Sequence, residues 1–317
     1  MKKKMAVAYP DAAYSTSKKI SSWQRIWKDR YLFLMLLPTL MISLFFHYTP
    51  MVGLVMAFQK FNIFKGIWGS EWVGFSNFVK IFSQSKFLEA IGNTLLVSAL
   101  HLLICFPAPI LLALLINELT AGPFKKTVQT ISYLPHFLSW ISVVGIVHLL
   151  FGRDGFVNDI RVLLGATDRP VYLAEQNLFL WFITGSTFWK TTGWGTVIHL
   201  ANLSSISPEL YEAASIDGAN RLQKIRYITL PHMFPTVMIL MIFEMGTIFN
   251  SNFELIYGLQ NPYIDFEVIN TIIYQTGIQS GNYSMATALG LAQGLVAVIL
   301  VFGTNWLSKK LTNSGIM

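Results

Sequence analysis

Long apolar runs constrain the fold of this chain more than any other feature of its sequence. A helix needs about 20 predominantly apolar residues to cross the hydrocarbon core of a bilayer. Runs of that length lie at residues 31–57, 92–117, 129–151, 178–201, 233–251 and 284–307. Charged residues make up only 12% of the chain, whereas about 25% is usual in soluble proteins. The sequence therefore predicts an all-α, polytopic membrane protein with about six transmembrane helices.

The N-terminal segment, residues 1–30, is polar and basic and precedes the first apolar run. Trp23, Ile26, Trp27 and Tyr31 recur at helical spacing with cations between them. Aromatic and basic residues in such a pattern are typical of a helix that lies among lipid headgroups. The sequence thus predicts an amphipathic N-terminal segment followed by a transmembrane domain at 31–310.

The distribution of positive charge predicts the orientation of the chain in the membrane. Fifteen of the 23 Lys and Arg residues lie in 1–30, 118–128, 202–232 and the C-terminal tail, and seven lie in the alternate connecting segments. Because positively charged segments stay in the cytoplasm, segment 202–232 and both termini are predicted to be cytoplasmic. The net charge of +7 is explained by this orientation, so no nucleic-acid partner is expected.

The sequence shows none of the common motifs for catalysis or metal binding. It contains no Gly-x-x-x-x-Gly-Lys-[Ser/Thr] phosphate loop, so the chain is not expected to hydrolyse ATP itself. The six histidines are scattered without metal-ligand spacing, which predicts neither a metal site nor a catalytic residue. Cys105 is the single cysteine, so no disulfide within the chain can form.

The long polar segment between the fourth and fifth apolar runs is compatible with helix. Ser207 is a good N-cap and Pro208 suits the first helical position, so a helix is predicted to begin there. Gly218 is predicted to break it, and Asp217 is predicted to cap a second helix that extends to Thr229. Two short helices at an angle, with alanines on the first, would lie flat beneath the membrane and fit a groove on a partner.

This segment, 204–232, carries a motif that resembles the EAA loop of binding-protein-dependent ABC importer permeases. The motif is Glu212-Ala213-Ala214-Ser215-Ile216-Asp217-Gly218-Ala219, followed by Leu230-Pro231. Further segments resemble the carbohydrate-uptake permeases, in particular the oligosaccharide branch that includes alginate and aldouronate permeases; they are Glu71–Phe78, Phe106–Glu118 and Phe124–Phe137. The resemblance extends over nearly the whole chain and implies a type I importer permease of the bacterial plasma membrane.

The resemblance also implies partners and a coupling site. In this family the loop is a coupling helix that docks on a cytoplasmic ATPase subunit. The residues of this chain that match are Glu212, Ala213, Ala214, Asp217, Gly218, Arg221, Leu230 and Pro231. The implied complex contains a second homologous permease chain, two ATPase subunits and an extracytoplasmic sugar-binding protein, and its cargo is an oligosaccharide. ATP and Mg²⁺ would be bound by the ATPase subunits, with no cofactor in this chain.

Two ionisable residues, Lys190 and Glu244, fall near the centres of the fourth and fifth apolar runs. A charge in hydrocarbon costs about 2.5–3.5 kcal/mol on insertion scales, so each should face a cavity, a partner chain or the other residue. A structural Lys190–Glu244 pair and a role in lining the pathway both remain open. Trp189 can stack on a sugar ring or anchor the interface. The predicted substrate pathway consists of Trp189, Lys190, Glu244, Asn250, Asn252 and Glu254.

Two other functions remain open at the level of the sequence. The EAA loop is shared by importers of other solutes, such as polyamines, phosphate or amino acids. A non-transporting membrane anchor or sensor could also recruit an ATPase. An anchor has no need of charges in the middle of its spans, although a structural pair would weaken that distinction.

Overall fold

The computed structural model describes residues 27–250 and 252–312. Most of the predicted N-terminal segment, including Trp23 and Ile26, lies outside the described residues. The chain divides into two units, Met1–Gly53 and Leu54–Met317.

The first unit contains the first predicted span. Helix α1, Arg30–Ser43, is followed by a π-helical turn, Leu44–Tyr48, and by a 3₁₀ segment, Thr49–Phe58, that continues past the unit boundary. Together they form a 29-residue apolar helix, Arg30–Phe58, and none of its most apolar stretch is buried. A helix that is apolar all round and unburied within its own chain is suited to a lipid environment.

The second unit is helical apart from one short hairpin. Its strands, β1 (Gln59–Lys60) and β2 (Glu71–Trp72), pair antiparallel. Its α-helices are α2 Gly66–Gly69, α3 Ser76–Ser83, α4 Ser85–Leu100, α5 Pro107–Asn117, α6 Pro123–Tyr133, α7 Trp140–Phe151, α8 Phe156–Leu163, α9 Gln176–Ser204, α10 Pro208–Ile216, α11 Arg221–Lys224, α12 Leu230–Thr247, α13 Phe253–Leu259, α14 Ile269–Tyr274 and α15 Tyr283–Thr312. Its 3₁₀ turns are Leu134–Phe137 and Tyr172–Ala174, and its π-helical turns are His101–Cys105, Ile225–Thr229 and Gln275–Gln279.

Five helices of the described chain are long and apolar enough to cross a membrane. They are Arg30–Phe58, Ser85–Asn117, Trp140–Leu163, Arg221–Thr247 and Tyr283–Leu311. The predicted fourth span lies in the 29-residue helix α9, which is long enough but is not among these five. Helix α9 has a single charged residue, Lys190, and differs from the five helices only in its lower mean hydropathy. Its hydropathy is lower because Thr, Ser, Gly and His residues interrupt its apolar surface.

Three boundaries drawn from the sequence are wrong. The predicted third span, 129–151, is two helices, because the chain turns at Leu134–Phe137 and Ser139 caps α7 by accepting a hydrogen bond from the Ser142 amide at 3.1 Å. The connecting segments 152–177 and 252–283 are predicted as loops from their sequence, but the first contains α8 and the second contains α13 and α14. Helices α13 and α14 bury apolar residues such as Leu255, Ile256 and Ile272, whereas α8 buries only Asn158; this packing is not evident from their local sequence.

Three of the π-helical turns in the described chain end two residues before a proline. They are Leu44–Tyr48 before Pro50, His101–Cys105 before Pro107, and Ile225–Thr229 before Pro231. Proline lacks an amide hydrogen and its ring crowds the carbonyl four residues earlier, which lies inside each of these turns. The wider π-turn accommodates both effects while the helix continues. The sequence predicts a broken or kinked helix at Pro107 and Pro109, whereas the structure shows a local widening within one long helix, Ser85–Asn117.

Close contacts hold α9 at the centre of the unit. A Cβ on Gly193 would collide with the backbone carbonyl of Ser132 in α6, and a Cβ on Gly195 would lie 2.7 Å from the ring of Pro109 in α5. A buried apolar cluster near the end of α9 joins it to α5 and α12 through Ala113, Leu203, Ile206 and Met233. Helix α9 thus contacts the elements that surround the candidate site.

Candidate functional site: a coupling helix and two cavities

The predicted coupling helix is α10, and it begins where the sequence predicts. Ser207 is its N-cap residue in extended conformation and Pro208 is its first helical residue, although the Ser207 side chain makes no capping hydrogen bond. Proline suits this position because the first amide of a helix has no acceptor within it.

Helix α10 ends in a Schellman motif at Gly218. The Ala219 amide donates to the Ala214 carbonyl at 2.8 Å, and the Gly218 amide donates to the Ser215 carbonyl at 3.1 Å. Gly218 has φ +79°, a left-handed conformation that glycine adopts without the steric cost of a Cβ. The prediction that Gly218 breaks the helix is confirmed.

The predicted second short helix differs from the one observed. It begins at Arg221 and is capped by Asn220, not by Asp217: the Asn220 side chain accepts from the Gln223 amide at 2.9 Å, and the Gln223 side chain accepts from the Asn220 amide at 2.7 Å. It continues through a π-turn into α12 as one helix, Arg221–Thr247. Pro231 follows the π-turn without breaking this helix, because the turn absorbs its steric demand.

The predicted docking residues lie on an exposed surface. Glu212, Ala213, Asp217, Gly218, Arg221, Leu230 and Pro231 are exposed, and Ala214 is half-buried. Sequence reasoning missed two apolar neighbours, Ile216 and Leu222, whose exposed fractions are 88% and 78%. Large apolar side chains grouped with small residues on one exposed surface are typical of a protein–protein contact.

Two hydrogen bonds tie α10 to the helix that follows it. The hydroxyls of Tyr211 and Thr229 are 2.9 Å apart, and the Lys224 ammonium donates to the Ser215 hydroxyl at 2.7 Å. Tyr211 also packs against the cluster at the ends of α5, α9 and α12. A force applied to α10 is therefore transmitted to the ends of these helices.

A cavity of about 410 Å³ lies between α4, α9 and α12, and we call it the distal cavity because it lies away from α10. It brings together four of the predicted pathway residues, Glu244, Asn250, Asn252 and Glu254. The side chains of Asn252 and Glu254 make no hydrogen bond or ion pair within the described chain. Sequence reasoning missed other residues that line the cavity. Distant helices supply most of these, Ser98, His101, Trp140 and Thr187, whereas Phe253 lies between Asn252 and Glu254.

The structure places the other two predicted pathway residues outside this cavity. Trp189 lines a separate apolar pocket with α7 residues such as Val143 and Val147. Lys190 is buried, donates to the His136 carbonyl at 2.7 Å and lies 5.0 Å from the ring centre of Trp140. Lys190 therefore contacts Trp140, which lines the distal cavity, without lining that cavity itself.

The open question of a Lys190–Glu244 pair is answered by the partners of each residue. A Glu244 carboxylate oxygen lies 2.8 Å from His101 Nε2, whereas Lys190 is bonded to the His136 carbonyl. Glu244 thus links α12 to the π-turn at the end of α4, and Lys190 links α9 to the turn before α7. The suggested pair does not form, because these two helices present the two charges to different neighbours.

A second cavity of about 580 Å³ lies closer to α10, and we call it the proximal cavity. Four residues line both cavities: His101, Thr191, Glu244 and Thr247. Along α9 the distal cavity extends from Ile183 to Thr191 and the proximal cavity from Thr191 to His199. The two cavities therefore follow each other along the helix, with the His101–Glu244 pair at their junction.

No group of three or more His, Cys, Asp or Glu residues with the geometry of a metal site occurs among residues 27–250 and 252–312. The cavities instead combine aromatic rings with a few amides, hydroxyls and carboxylates. Such a lining suits a ligand with both apolar and hydrogen-bonding faces.

Comparisons with solved structures agree with this arrangement. A bacterial ABC transporter involved in the import of the acidic polysaccharide alginate contains a chain that is 41% identical, with a TM-score of 0.84 over 92% of this chain and 99% of that one. A bacterial alginate ABC transporter, solved in complex with an alginate pentasaccharide-bound periplasmic protein, gives 40% identity and a TM-score of 0.85 over 93% and 99% of the two chains.

Comparisons with curated proteins point the same way. Protein LplB of Bacillus subtilis is 39% identical over 96% of this chain and 97% of its own length. The polygalacturonan/rhamnogalacturonan transport system permease protein YteP of the same organism is 40% identical over 91% of both chains. Residues 105–313 match the family described as binding-protein-dependent transport system inner membrane component. The resemblance found in the sequence is confirmed, and the chain belongs to this family of membrane permeases.

Proposed function

We propose that this chain is the membrane-spanning subunit of an ABC importer that translocates oligosaccharides delivered by an extracytoplasmic binding protein. One observation carries the proposal: α9 and α12, which line the distal cavity, also hold the exposed coupling helix α10 at their ends. The permease relative described for polygalacturonan/rhamnogalacturonan and the solved alginate transporter support a saccharide as the cargo.

The complete transporter contains a second, homologous permease chain and two ATPase subunits. ATP and Mg²⁺ are bound by these ATPase subunits, and α10 docks in a groove on one of them through Ala213 and Ala214. The chain resides in the bacterial plasma membrane with α10 and both termini in the cytoplasm. The positive-inside distribution of Lys and Arg supports this orientation.

Transport follows from alternating access between the two sides of the membrane. Closure of the ATPase pair on ATP displaces α10, and the Tyr211–Thr229 bond passes the displacement to α12. The distal cavity then opens to receive sugar from the binding protein, and ATP hydrolysis returns the helices to the inward-open state. The π-turns at His101–Cys105 and Ile225–Thr229 supply points at which these helices can bend.

The lining of the distal cavity fits a sugar. Asn252 and Glu254 offer hydrogen-bonding groups without partners in the described chain, and sugar hydroxyls can satisfy them. Trp140 and Phe253 supply aromatic surface for the C–H faces of a sugar ring. A membrane anchor that only recruits an ATPase needs no such cavity.

Substrate-stimulated ATPase activity of the reconstituted four-subunit transporter, with its binding protein, tests the proposal. The panel contains tetragalacturonate, tetramannuronate, xylotetraose and cellotetraose, with spermidine, phosphate and glutamine as the non-sugar alternatives. We expect at least one tetrasaccharide and no non-sugar solute to stimulate ATP hydrolysis. Stimulation by a non-sugar solute alone, or by nothing, contradicts the proposal.

A matched pair of variants links the cavity to the cargo. Glu254→Gln in the distal cavity should raise the saccharide concentration that half-stimulates the ATPase, by about tenfold for one lost charge-assisted hydrogen bond. Glu89→Gln, at an exposed position of α4 outside both cavities, is the control and should leave this concentration unchanged. Equal effects of the two substitutions would argue against sugar binding in this cavity.

A further inference from the structure

We infer that the proximal cavity is a second saccharide-binding station, in which His199 hydrogen-bonds a sugar hydroxyl. The inference rests on the proposed function and adds a site to it. The transported oligosaccharide binds once on each side of the His101–Glu244 pair. The ligand class is a pyranose unit of the transported oligosaccharide.

His199 is the first reason to place a ligand here. Its side chain lines the proximal cavity and is only 3% exposed. Its Nδ1 atom is buried without a hydrogen-bond partner, and its Nε2 atom makes no hydrogen bond within the described chain. Buried polar groups are nearly always hydrogen-bonded, so an imidazole with two unpaired nitrogens is costly unless something else satisfies it. The Nε2 atom is the one left to meet a ligand in the cavity.

Two stacked rings are the second reason. His136 and Trp194 lie parallel, with ring centres 4.5 Å apart and planes inclined by 6°, and both line the proximal cavity. Trp194 remains 44% exposed, so the stacked pair keeps a flat apolar surface. A pyranose ring presents a flat C–H face on one side and hydroxyls around its edge. The stacked rings can therefore pack against the C–H face of the pyranose, and His199 can hydrogen-bond a hydroxyl at its edge.

The size and lining of the cavity agree with this ligand class. Its volume of about 580 Å³ falls within the range of about 300–1,000 Å³ typical of small-molecule sites. Leu240 and Phe243 add apolar wall, and no Lys or Arg lines the cavity. A site that offers stacked rings and one imidazole, with no Lys or Arg, suits a sugar ring better than a phosphate.

The His101–Glu244 pair is the reason to separate two stations. Both cavities reach this pair, and both include Thr191 of α9. At 1.5 Å per residue, Thr191 lies about 12 Å from Ile183 in one direction and about 12 Å from His199 in the other. The centres of binding on the two sides are thus separated along the helix axis, with the His101–Glu244 pair between them.

Thiol labelling of the nucleotide-free, reconstituted transporter tests the second station. A Cys105→Ala background removes the single native thiol. Ile198→Cys then reports on the proximal cavity and Thr187→Cys on the distal cavity, because each lines only one of them. The reagent is N-ethylmaleimide, and the probe is whichever tetrasaccharide of the panel above gives the largest ATPase stimulation.

We expect the tetrasaccharide to slow labelling of both reporters. His199→Phe keeps a flat aromatic ring, slightly larger than imidazole, and removes the hydrogen bond, so it should raise the half-protecting concentration for Ile198→Cys by about tenfold. The Thr187→Cys reporter should be unaffected by it. His148→Phe, the same substitution at an exposed position of α7 outside both cavities, is the control and should change neither reporter.

The outcomes separate this inference from the proposed function. Protection of Thr187→Cys without protection of Ile198→Cys overturns the second station and leaves the importer intact. A His199→Phe effect of equal size on both reporters also overturns it, because His199 would then act through the fold. If no tetrasaccharide stimulates the ATPase, the proposed function fails and the second station fails with it.

Discussion

Gly218 is the residue whose backbone conformation most directly shapes the coupling surface. It holds φ +79° where α10 ends, and an added Cβ would meet no atom within 4 Å. Any penalty of a side chain here is therefore backbone strain, about 1–2 kcal/mol for a left-handed L-residue. We expect Gly218→Val to abolish sugar uptake by redirecting the chain after α10, with the protein still present in the membrane.

The control for Gly218→Val is Gly66→Val. Gly66 has φ +66° and equally open surroundings, but it lies in the hairpin segment between β1 and β2. Uptake and thermal unfolding are measured for both variants. Similar unfolding temperatures with uptake lost only in Gly218→Val support a coupling role, whereas equal loss of uptake would assign the effect to folding.

Lys190 carries a second prediction at this scale. Its ammonium is the donor to the His136 carbonyl, so Lys190→Met leaves that acceptor without its partner. The expected cost is about 1–3 kcal/mol of unfolding free energy, seen as a lower unfolding temperature in detergent. Lys126→Met, at an exposed position of α6, should change it little. If Lys190→Met were as stable as the parent, the buried cation would not hold the turn before α7.

The partners of single residues were the least predictable part of the site. The sequence indicates that Lys190 and Glu244 need partners, because both lie in the middle of apolar runs. It cannot indicate which partners, because His136 and His101 reach them from helices 54 and 143 residues away, as helix crossing dictates. Glu244, Asn250, Asn252 and Glu254 line one cavity because one helix end and the chain just after it carry them.

At the scale of elements, the contact between α10 and the π-turn before α12 is expected to transmit a displacement of α10 to α12. Tyr211→Phe removes its hydroxyl, and with it the 2.9 Å bond to Thr229, while the ring keeps its apolar packing. The lost bond is worth about 0.5–1.5 kcal/mol. We expect lower uptake per ATP hydrolysed, at nearly unchanged stability.

Tyr227→Phe is the matched control for this prediction. Tyr227 lies in the same π-turn and is 69% exposed, and its ring rather than its hydroxyl faces Arg226. Uptake and ATP hydrolysis are measured together in proteoliposomes. An unchanged ratio in Tyr211→Phe would show that coupling does not depend on this hydrogen bond.

Elements were predictable where local chemistry determines them. Pro208 and Gly218 mark both ends of α10 by backbone effects alone, and both predictions held. The start of α11 was misplaced, because Asn220 and Asp217 are both good caps and only the reciprocal bond with Gln223 selects Asn220. Helices α13 and α14 escaped detection since they are short and owe their stability to packing.

At the scale of the whole molecule, the orientation in the membrane decides whether the coupling helix can meet a cytoplasmic ATPase. The distribution of Lys and Arg around the apolar runs and, separately, the EAA motif both predict that α10 is cytoplasmic. Three helices lie between the hairpin segment near Phe64 and α10: Ser85–Asn117, Trp140–Leu163 and α9. Because three crossings is an odd number, α10 and Phe64 are predicted to lie on opposite sides of the membrane.

Single thiols test this arrangement directly in a Cys105→Ala background. Ala213→Cys on α10 should react with a membrane-impermeant maleimide only in inside-out vesicles, and Phe64→Cys, at a position 96% exposed, only in right-side-out cells. With the ATPase subunits present, a bifunctional reagent should also crosslink Ala213→Cys to one of them. Because a bilayer blocks the reagent completely, the two sites cannot both react from one side unless one of these three helices fails to cross. Labelling of Ala213→Cys from outside the cell would place the coupling helix where no ATP-hydrolysing subunit can reach it, and the importer mechanism would be untenable.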